Sequence, residues 1–261
     1  MIVEIVESVR AEVIMGTNGT NLRATPRWFL SSGKVILGHH YSSQDWLAHS
    51  LKSVGSRDAL HIAGYDEVLF DQCDLLLWGV LLHDSEVNVP AGILFPWINE
   101  QPVTGTIRLI SADDFVLDVE RVRWIAPDGS AFACLFDDVS YAQGDSLLRL
   151  NLADNFDLLF AHGRLCGWLL SHPAHYVVNS WAEPFPDVTD NATDELLHEY
   201  MILIEATNVR QLIWNKDPIT FRLLANLHER LGYNSDTVPQ LRIIRQYLEQ
   251  IVEKFYGRLL P

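Results

Sequence analysis

Short β-prone runs separated by tight polar turns fill residues 104–152 and constrain the fold more than any other feature of the chain. The clearest unit is a run over 119–126, the turn Pro127-Asp-Gly129, and a second run over 130–136. Asp-Gly between two such runs is a strong hairpin signal, because glycine accepts the positive φ that the turn needs. Successive hairpins pair antiparallel strands, so this region predicts an antiparallel meander or a partial barrel.

The last 70 or so residues follow a different pattern, in which apolar side chains recur every three or four positions. Asp217-Pro218 supplies a capping residue and a proline suited to the first helical position, and Gly232 predicts the end of that helix. A similar start recurs at Thr237-Val-Pro239, and residues 190–214 predict a preceding helix. The sequence therefore predicts an α+β fold with a C-terminal bundle of about three amphipathic helices.

The first 60 residues mix both patterns. Residues 3–14 fit either a strand or a helix, and the runs on both sides of Gly33 predict a hairpin. Residues 44–54 predict a helix that is capped by Ser43 and ends at Gly55. We expect a mixed segment (1–60), an acidic, mostly β region (61–186) and a helical region (187–261), either separate or joined in one domain.

Negative charge is concentrated in the middle of the chain. The whole chain has a formal net charge of −15, whereas residues 61–205 alone have −19, from 24 Asp and Glu against five Arg and no Lys. A field of one sign attracts an oppositely charged partner and repels nucleic-acid phosphate. We therefore expect a protein partner with a basic surface, and we do not expect nucleic-acid binding.

Paired aspartates at predicted turns and two tryptophans in proline-flanked segments are the candidates for contact with such a partner. Aromatic residues anchor protein interfaces, and surrounding charge steers the encounter. A turn aspartate also has a structural explanation, since its carboxylate accepts hydrogen bonds from nearby backbone amides. The predicted partner-binding residues are Asp113, Asp114, Asp137, Asp138, Trp97 and Trp181.

Motifs typical of catalysis are missing from the sequence, which has no G-x-S-x-G elbow and no phosphate-binding loop. The densest histidine group is His172-Pro-Ala-His175, with His162 upstream. These three histidines are the alternative prediction, a metal site, although Pro173 argues against a continuous helix that would present two of them. No cofactor is predicted, and an enzymatic activity is not favoured.

The three cysteines are too few and too widely spaced for a disulfide framework, which favours a reducing compartment. The apolar run at residues 75–82 is far shorter than the roughly 20 residues of a membrane-spanning helix. We therefore expect a cytoplasmic protein with no membrane segment.

These features together favour a non-catalytic acidic protein that binds another protein, in the manner of an immunity-type inhibitor that neutralises a basic toxin. Two alternatives remain open at the level of sequence. One is a metal-dependent hydrolase built on the histidines, and the other is a scaffold or assembly subunit of a larger complex.

Overall fold

A computed structural model describes residues 1–261 apart from 17–21, 23, 40–41, 57–64, 86, 91–94, 112, 119–121, 137–145, 182, 185–190, 206–210, 212–214, 236 and 258–261. The described strands are β1 Ile2–Val6, β2 Val9–Met15, β3 Arg27–Phe29, β4 Lys34–Leu37, β5 Ser53–Ser56, β6 Glu67–Asp71, β7 Leu77–His83, β8 Val103–Leu109, β9 Val122–Ile125, β10 Ala131–Leu135, β11 Leu147–Ala153, β12 Phe156–Ala161, β13 Arg164–Ser171 and β14 Val177–Val178. The longer described helices are α1 Ser43–Ser50, α2 Asn191–Leu203, α3 Pro218–Asn234 and α4 Pro239–Tyr256. Short helical turns occur at Phe95–Ile98 and Pro173–Tyr176.

The larger sheet has eight strands in the order β1-β2-β8-β11-β12-β13-β10-β9. Strands β11, β12 and β13 form an antiparallel meander, and the hairpin predicted at Asp128-Gly129 joins β9 to β10. Strand β1 also meets β13, where Glu4 lies opposite Arg164, so the sheet curls back on itself. The predicted α+β fold, with an antiparallel-rich β region and C-terminal helices, is confirmed.

The smaller sheet has six strands in the order β14-β3-β4-β7-β6-β5, with β5 at one edge. Its β3–β4 pair is the hairpin predicted around Gly33. Strands from residues 1–60 take part in both sheets, because β2 pairs with β8 in the larger one and β4 and β5 pair with β7 and β6 in the smaller one.

Residues 3–14, which fit either a strand or a helix, lie in two strands. Other local predictions differ from the structure. The helix expected over 44–54 is capped by Ser42 and ends at Ser50. Gly55 does not terminate that helix, because it lies in β5, where pairing with β6 gives the extended backbone a partner. The sequence also predicts a strand over 115–126, of which 122–125 form β9, whereas Phe115 and Leu117 form single bridges with Ser56 and Asp66, and 119–121 lie outside the described residues.

The two sheets and the C-terminal helices share one hydrophobic core. Trp28 of the smaller sheet stacks on Phe132 of the larger one, with ring centroids 4.5 Å apart. Asp217 caps α3 as predicted and accepts hydrogen bonds from the amides of Ile219 and Thr220, although α3 continues two residues beyond Gly232. The helix predicted over 190–214 is α2, and 206–210 and 212–214 lie outside the described residues.

Among the described helices, none has a stretch that is both long and apolar enough to cross a membrane.

Candidate functional site

The four aspartates predicted to contact a partner divide into two pairs. Asp113 and Asp114 are exposed and follow the end of β8. Asp137 and Asp138 lie outside the described residues. The first pair can therefore be placed in the fold, in an exposed segment that follows β8.

The two predicted tryptophans have different environments. Trp97 is fully buried against the larger sheet, and its indole Nε1 donates a hydrogen bond to the carbonyl of Phe160 at 3.2 Å. Trp181 is half-buried and lines a cleft of about 360 Å³ on the outer face of the smaller sheet, with Phe29 and Trp46. Its ring centroid is 5.6 Å from that of Phe29. Trp97 is thus a core residue, whereas Trp181 can reach solvent.

The three histidines of the alternative metal site do not come together. His172 and His175 lie in one turn, with their rings stacked at 5.4 Å, whereas His162 lies at the other end of β13. A strand of that length spans about 23 Å, so one ion cannot bind all three. Within the described part of the chain, no group of three or more His, Cys, Asp or Glu is placed to hold a metal.

Asp113 and Asp114 lie in a short extended segment that follows β8. Residues Phe115 and Leu117 point inward, and Leu117 reaches the hydrophobic core. Asp114, Val116 and Asp118 alternate with them and are exposed, as expected for an extended backbone whose side chains point to opposite sides. We call five exposed residues of this segment, Ile110, Asp113, Asp114, Val116 and Asp118, the acidic platform.

Backbone hydrogen bonds fix this segment against the edge strand β5. The amide of Phe115 donates to the carbonyl of Gly55 at 3.3 Å, and the amide of Gly55 donates to Asp114 Oδ1 at 3.2 Å. Gly55 has φ +131°, and a Cβ there would lie 2.1 Å from the carbonyl oxygen of Val68. Glycine is therefore required at the position that holds the platform.

A buried hydroxyl fixes the other half of the segment. Ser56 Oγ accepts a hydrogen bond from the amide of Leu117 at 3.0 Å and donates to the carbonyl of Asp66 at 2.6 Å. The amide of Asp66 in turn donates to the carbonyl of Leu117 at 3.3 Å. Both ends of the outward-facing Asp114–Val116–Asp118 stripe are thus bonded to the smaller sheet, so its conformation is set by the fold.

The platform combines acidic and large apolar side chains. Val116 is 59% exposed and Ile110 is 55% exposed. Tyr65 is also exposed and directly precedes Asp66, which pairs with Leu117. Exposed apolar residues grouped within a polar rim are typical of protein-binding surfaces. The sequence signal for this group is the alternation in Asp114-Phe-Val-Leu-Asp118, which by itself predicts an ordinary strand.

Asp71 is a further acidic residue near the platform. It pairs with Ser53 of β5, which lies two residues, or about 7 Å, from Gly55, whose amide binds Asp114. Asp71 Oδ1 accepts hydrogen bonds from the amides of Cys73 and Asp74 and so stabilises the β6–β7 turn. Asp113 and Asp118 form no ion pair with another described residue, so their charge is directed to solvent.

Comparison of the chain with models of known protein families, with curated proteins and with solved structures found no match.

Proposed function

We propose that the protein is a non-catalytic binding protein whose acidic platform engages a basic surface on a protein partner, as an immunity-type inhibitor of a basic toxin would. The observation that supports this proposal is the anchored stripe of Asp114, Val116 and Asp118, which places an exposed apolar side chain between two carboxylates. A surface of this composition suits a partner that presents Lys or Arg around an apolar contact.

The rigidity of the platform favours binding. An interface loses affinity when its loops must be ordered on association, and a segment already bonded to β5 and β6 avoids much of that cost. The charge contributes mainly to the rate of encounter, because the field of the −19 segment extends beyond single contacts. Burial of Val116 and Ile110 supplies the apolar contribution.

The test compares two double variants with the same change in net charge. Asp113→Lys with Asp118→Lys reverses the platform, and Glu100→Lys with Asp154→Lys reverses two exposed acids elsewhere. Each is used as bait, beside the wild type, at native expression level, and the affinity of any captured protein is measured with purified components. We expect the platform variant to bind at least tenfold more weakly, whereas the control stays within about threefold of the wild type.

Two further results belong to the same test. Wild-type affinity should fall by an order of magnitude or more as salt rises from about 0.05 to about 0.3 M, because screening shortens the range of surface charges. Val116→Ser should weaken binding without changing this salt dependence, since it removes only an apolar contact. Equal binding by both charge variants, or an affinity independent of salt, would falsify the proposal.

A further inference from the structure

A second, chemically different site lies between the two sheets and the C-terminal helices. This cleft has a volume of about 550 Å³ and is formed by five separate parts of the chain. They are the β3–β4 turn, the end of β7, strand β9, the end of α2 and the last turns of α4. A cleft of this size fits a small organic molecule.

Arg123 is the central feature of the cleft. It lies on the edge strand β9 and is only 3% exposed. Its Nε donates to Asn88 Oδ1 at 2.8 Å, and its Nη2 donates to the carbonyl of Met201 at 2.9 Å. Among the described residues, no carboxylate lies within ion-pair distance of this guanidinium. A buried cation without a directly paired carboxylate is costly, so its retention points to an anion that completes the site.

The remaining polar groups favour an anion over a cation. Lys254 lines the cleft and is exposed, so it adds a second positive charge at the mouth. Asp84 is the one acid among the described lining residues, and its Oδ2 already accepts a hydrogen bond from Trp28 Nε1 at 3.1 Å. Burial and the charge of Asp84 raise the pKa of Tyr200, which keeps its hydroxyl protonated and able to donate a hydrogen bond.

The rest of the lining is apolar. Leu30 from the β3–β4 turn, Ile204 after α2, and Ile251 and Phe255 of α4 face the same space. Such a lining excludes water and strengthens the attraction between Arg123 and a negative group. It also offers burial to a hydrocarbon or aromatic body, which a small inorganic ion does not have.

We propose that this cleft binds a small organic carboxylate, with the carboxylate on Arg123 and Lys254 and an apolar body against Leu30, Ile251 and Phe255. Two of the five N–H groups of Arg123 are bonded to Asn88 and Met201, and these bonds hold the planar fork in place. The remaining donors suit the two oxygens of a carboxylate. The site shares no lining residue with the acidic platform and does not require the proposed protein partner.

A purely structural role for Arg123 is the competing explanation. Its bond to the carbonyl of Met201 lies in the last turn of α2, where a cation satisfies a free carbonyl and the helix dipole. That role requires no ligand and no contribution from Lys254, whose Nζ lies over the ring of Phe255, 5.5 Å from the ring centroid. The two explanations therefore differ in what Lys254 does.

The experiment titrates the full-length protein with 4-phenylbutyrate, its neutral amide 4-phenylbutyramide, and inorganic phosphate, by calorimetry and ligand-observed NMR. We expect the carboxylate to bind at least tenfold more tightly than either the amide or phosphate. Lys254→Ala, an exposed change that does not disturb the core, should weaken carboxylate binding by about threefold or more. Arg123→Met should abolish it, and Lys52→Ala, which removes an exposed cation elsewhere, should leave it unchanged.

Each other outcome overturns the proposal. Equal binding of the carboxylate and the amide would show that the cleft recognises only the apolar body. Preferred binding of phosphate would assign the cations to a free inorganic anion. No binding of any of the three probes, with the protein shown to be folded by circular dichroism, would leave Arg123 with its structural role at the end of α2. Since Lys254→Ala keeps Arg123, the result does not depend on whether Arg123→Met folds.

Discussion

The acidic platform and the cleft around Arg123 differ in where they place charge. The platform is formed by nearly contiguous residues within 110–118, of which Asp113 and Asp118 direct their carboxylates to water and Asp114 bonds to the amide of Gly55. The cleft is assembled from five distant parts of the chain around an arginine that is almost fully buried. Exposed carboxylates are stabilised by water and cost little when unpaired, whereas a buried guanidinium must be satisfied by the protein or by a ligand. If both proposals hold, the surplus acid acts in long-range attraction of a partner and the buried arginine in short-range recognition of a ligand.

One buried residue connects the two regions. The amide of Asp66 donates to the carbonyl of Leu117 beneath the platform. The Oδ1 atom of Asp66 accepts hydrogen bonds from the amide and the Nδ1 of His83, which lines the cleft, at 2.7 and 2.8 Å. Changes at the platform, at Asp66 and at exposed charges should therefore affect the two regions to different extents.

Substitution of Gly55 should have the largest effect. Gly55→Ala places a Cβ 2.1 Å from the carbonyl oxygen of Val68, and backbone cannot move aside as a flexible side chain would. We expect the free energy of unfolding to fall by about 3 kcal/mol or more, measured by urea denaturation. Hydrogen exchange at residues 113–118 should accelerate before exchange in the helices, because the platform loses its anchor on β5.

Gly163→Ala is the matched control for that change. Gly163 also has a positive φ, +75°, but the nearest atom to an added Cβ is the carbonyl oxygen of Ile2, at 3.8 Å. Only the conformational cost remains, about 1 kcal/mol. Equal destabilisation by the two substitutions would show that close packing at Gly55 does not fix the platform.

Replacement of Asp66 should have an intermediate effect that reaches both regions. Asp66→Ala removes the acceptor for both His83 hydrogen bonds in a fully buried place, and we expect a loss of about 2 kcal/mol in the free energy of unfolding. Hydrogen exchange should increase most at the amide of His83 and less at residues 113–118, because Asp66 contacts that segment through its backbone, which the variant keeps. Unchanged exchange at His83 would contradict the connection through Asp66.

Asp66→Asn removes the negative charge of residue 66 but keeps an oxygen that can accept hydrogen bonds. The amide oxygen of asparagine can still accept the His83 hydrogen bonds, and the second carboxylate oxygen, Oδ2, has no hydrogen-bond partner among the described residues. We therefore expect a smaller loss of stability than for Asp66→Ala, about 1 kcal/mol. A loss as large as that of the alanine variant would show that the negative charge, rather than the hydrogen bonds, holds His83.

Features that depend on residues close together in the sequence can be predicted from it. The hairpin at Asp128-Gly129 and the start of α3 at Asp217-Pro218 depend on residues within a few positions, so local patterns predict them. Charge and turn composition alone predict Asp113 and Asp114 as exposed residues. Their placement on β5 was not predictable, because Gly55 and Asp114 are far apart in the sequence and Gly55 resembled the end of a helix.

The cleft leaves no comparable signal in the sequence. Arg123 occupies one position in a short strand, and nothing nearby distinguishes it from an exposed arginine. Its burial depends on α2 and α4, which come together only through the shared core. Trp97 is the opposite case. Its proline-flanked segment resembles an exposed loop, although the indole packs beneath β12. Tertiary packing, rather than the local sequence, determines whether such side chains are buried.

Neutralisation of the platform should have the smallest effect on stability, and it tests whether the charges there repel one another. Asp113→Asn with Asp118→Asn should raise the free energy of unfolding by a few tenths of a kcal/mol at low salt, because unpaired like charges lose repulsion. The gain should vanish at about 0.5 M salt, where screening acts within a few ångströms. Glu100→Gln with Asp154→Asn, which removes the same charge elsewhere, should give less. A lower stability for the platform variant would mean that these two carboxylates accept stabilising hydrogen bonds, and that their exposure is structural rather than a means of attracting a partner.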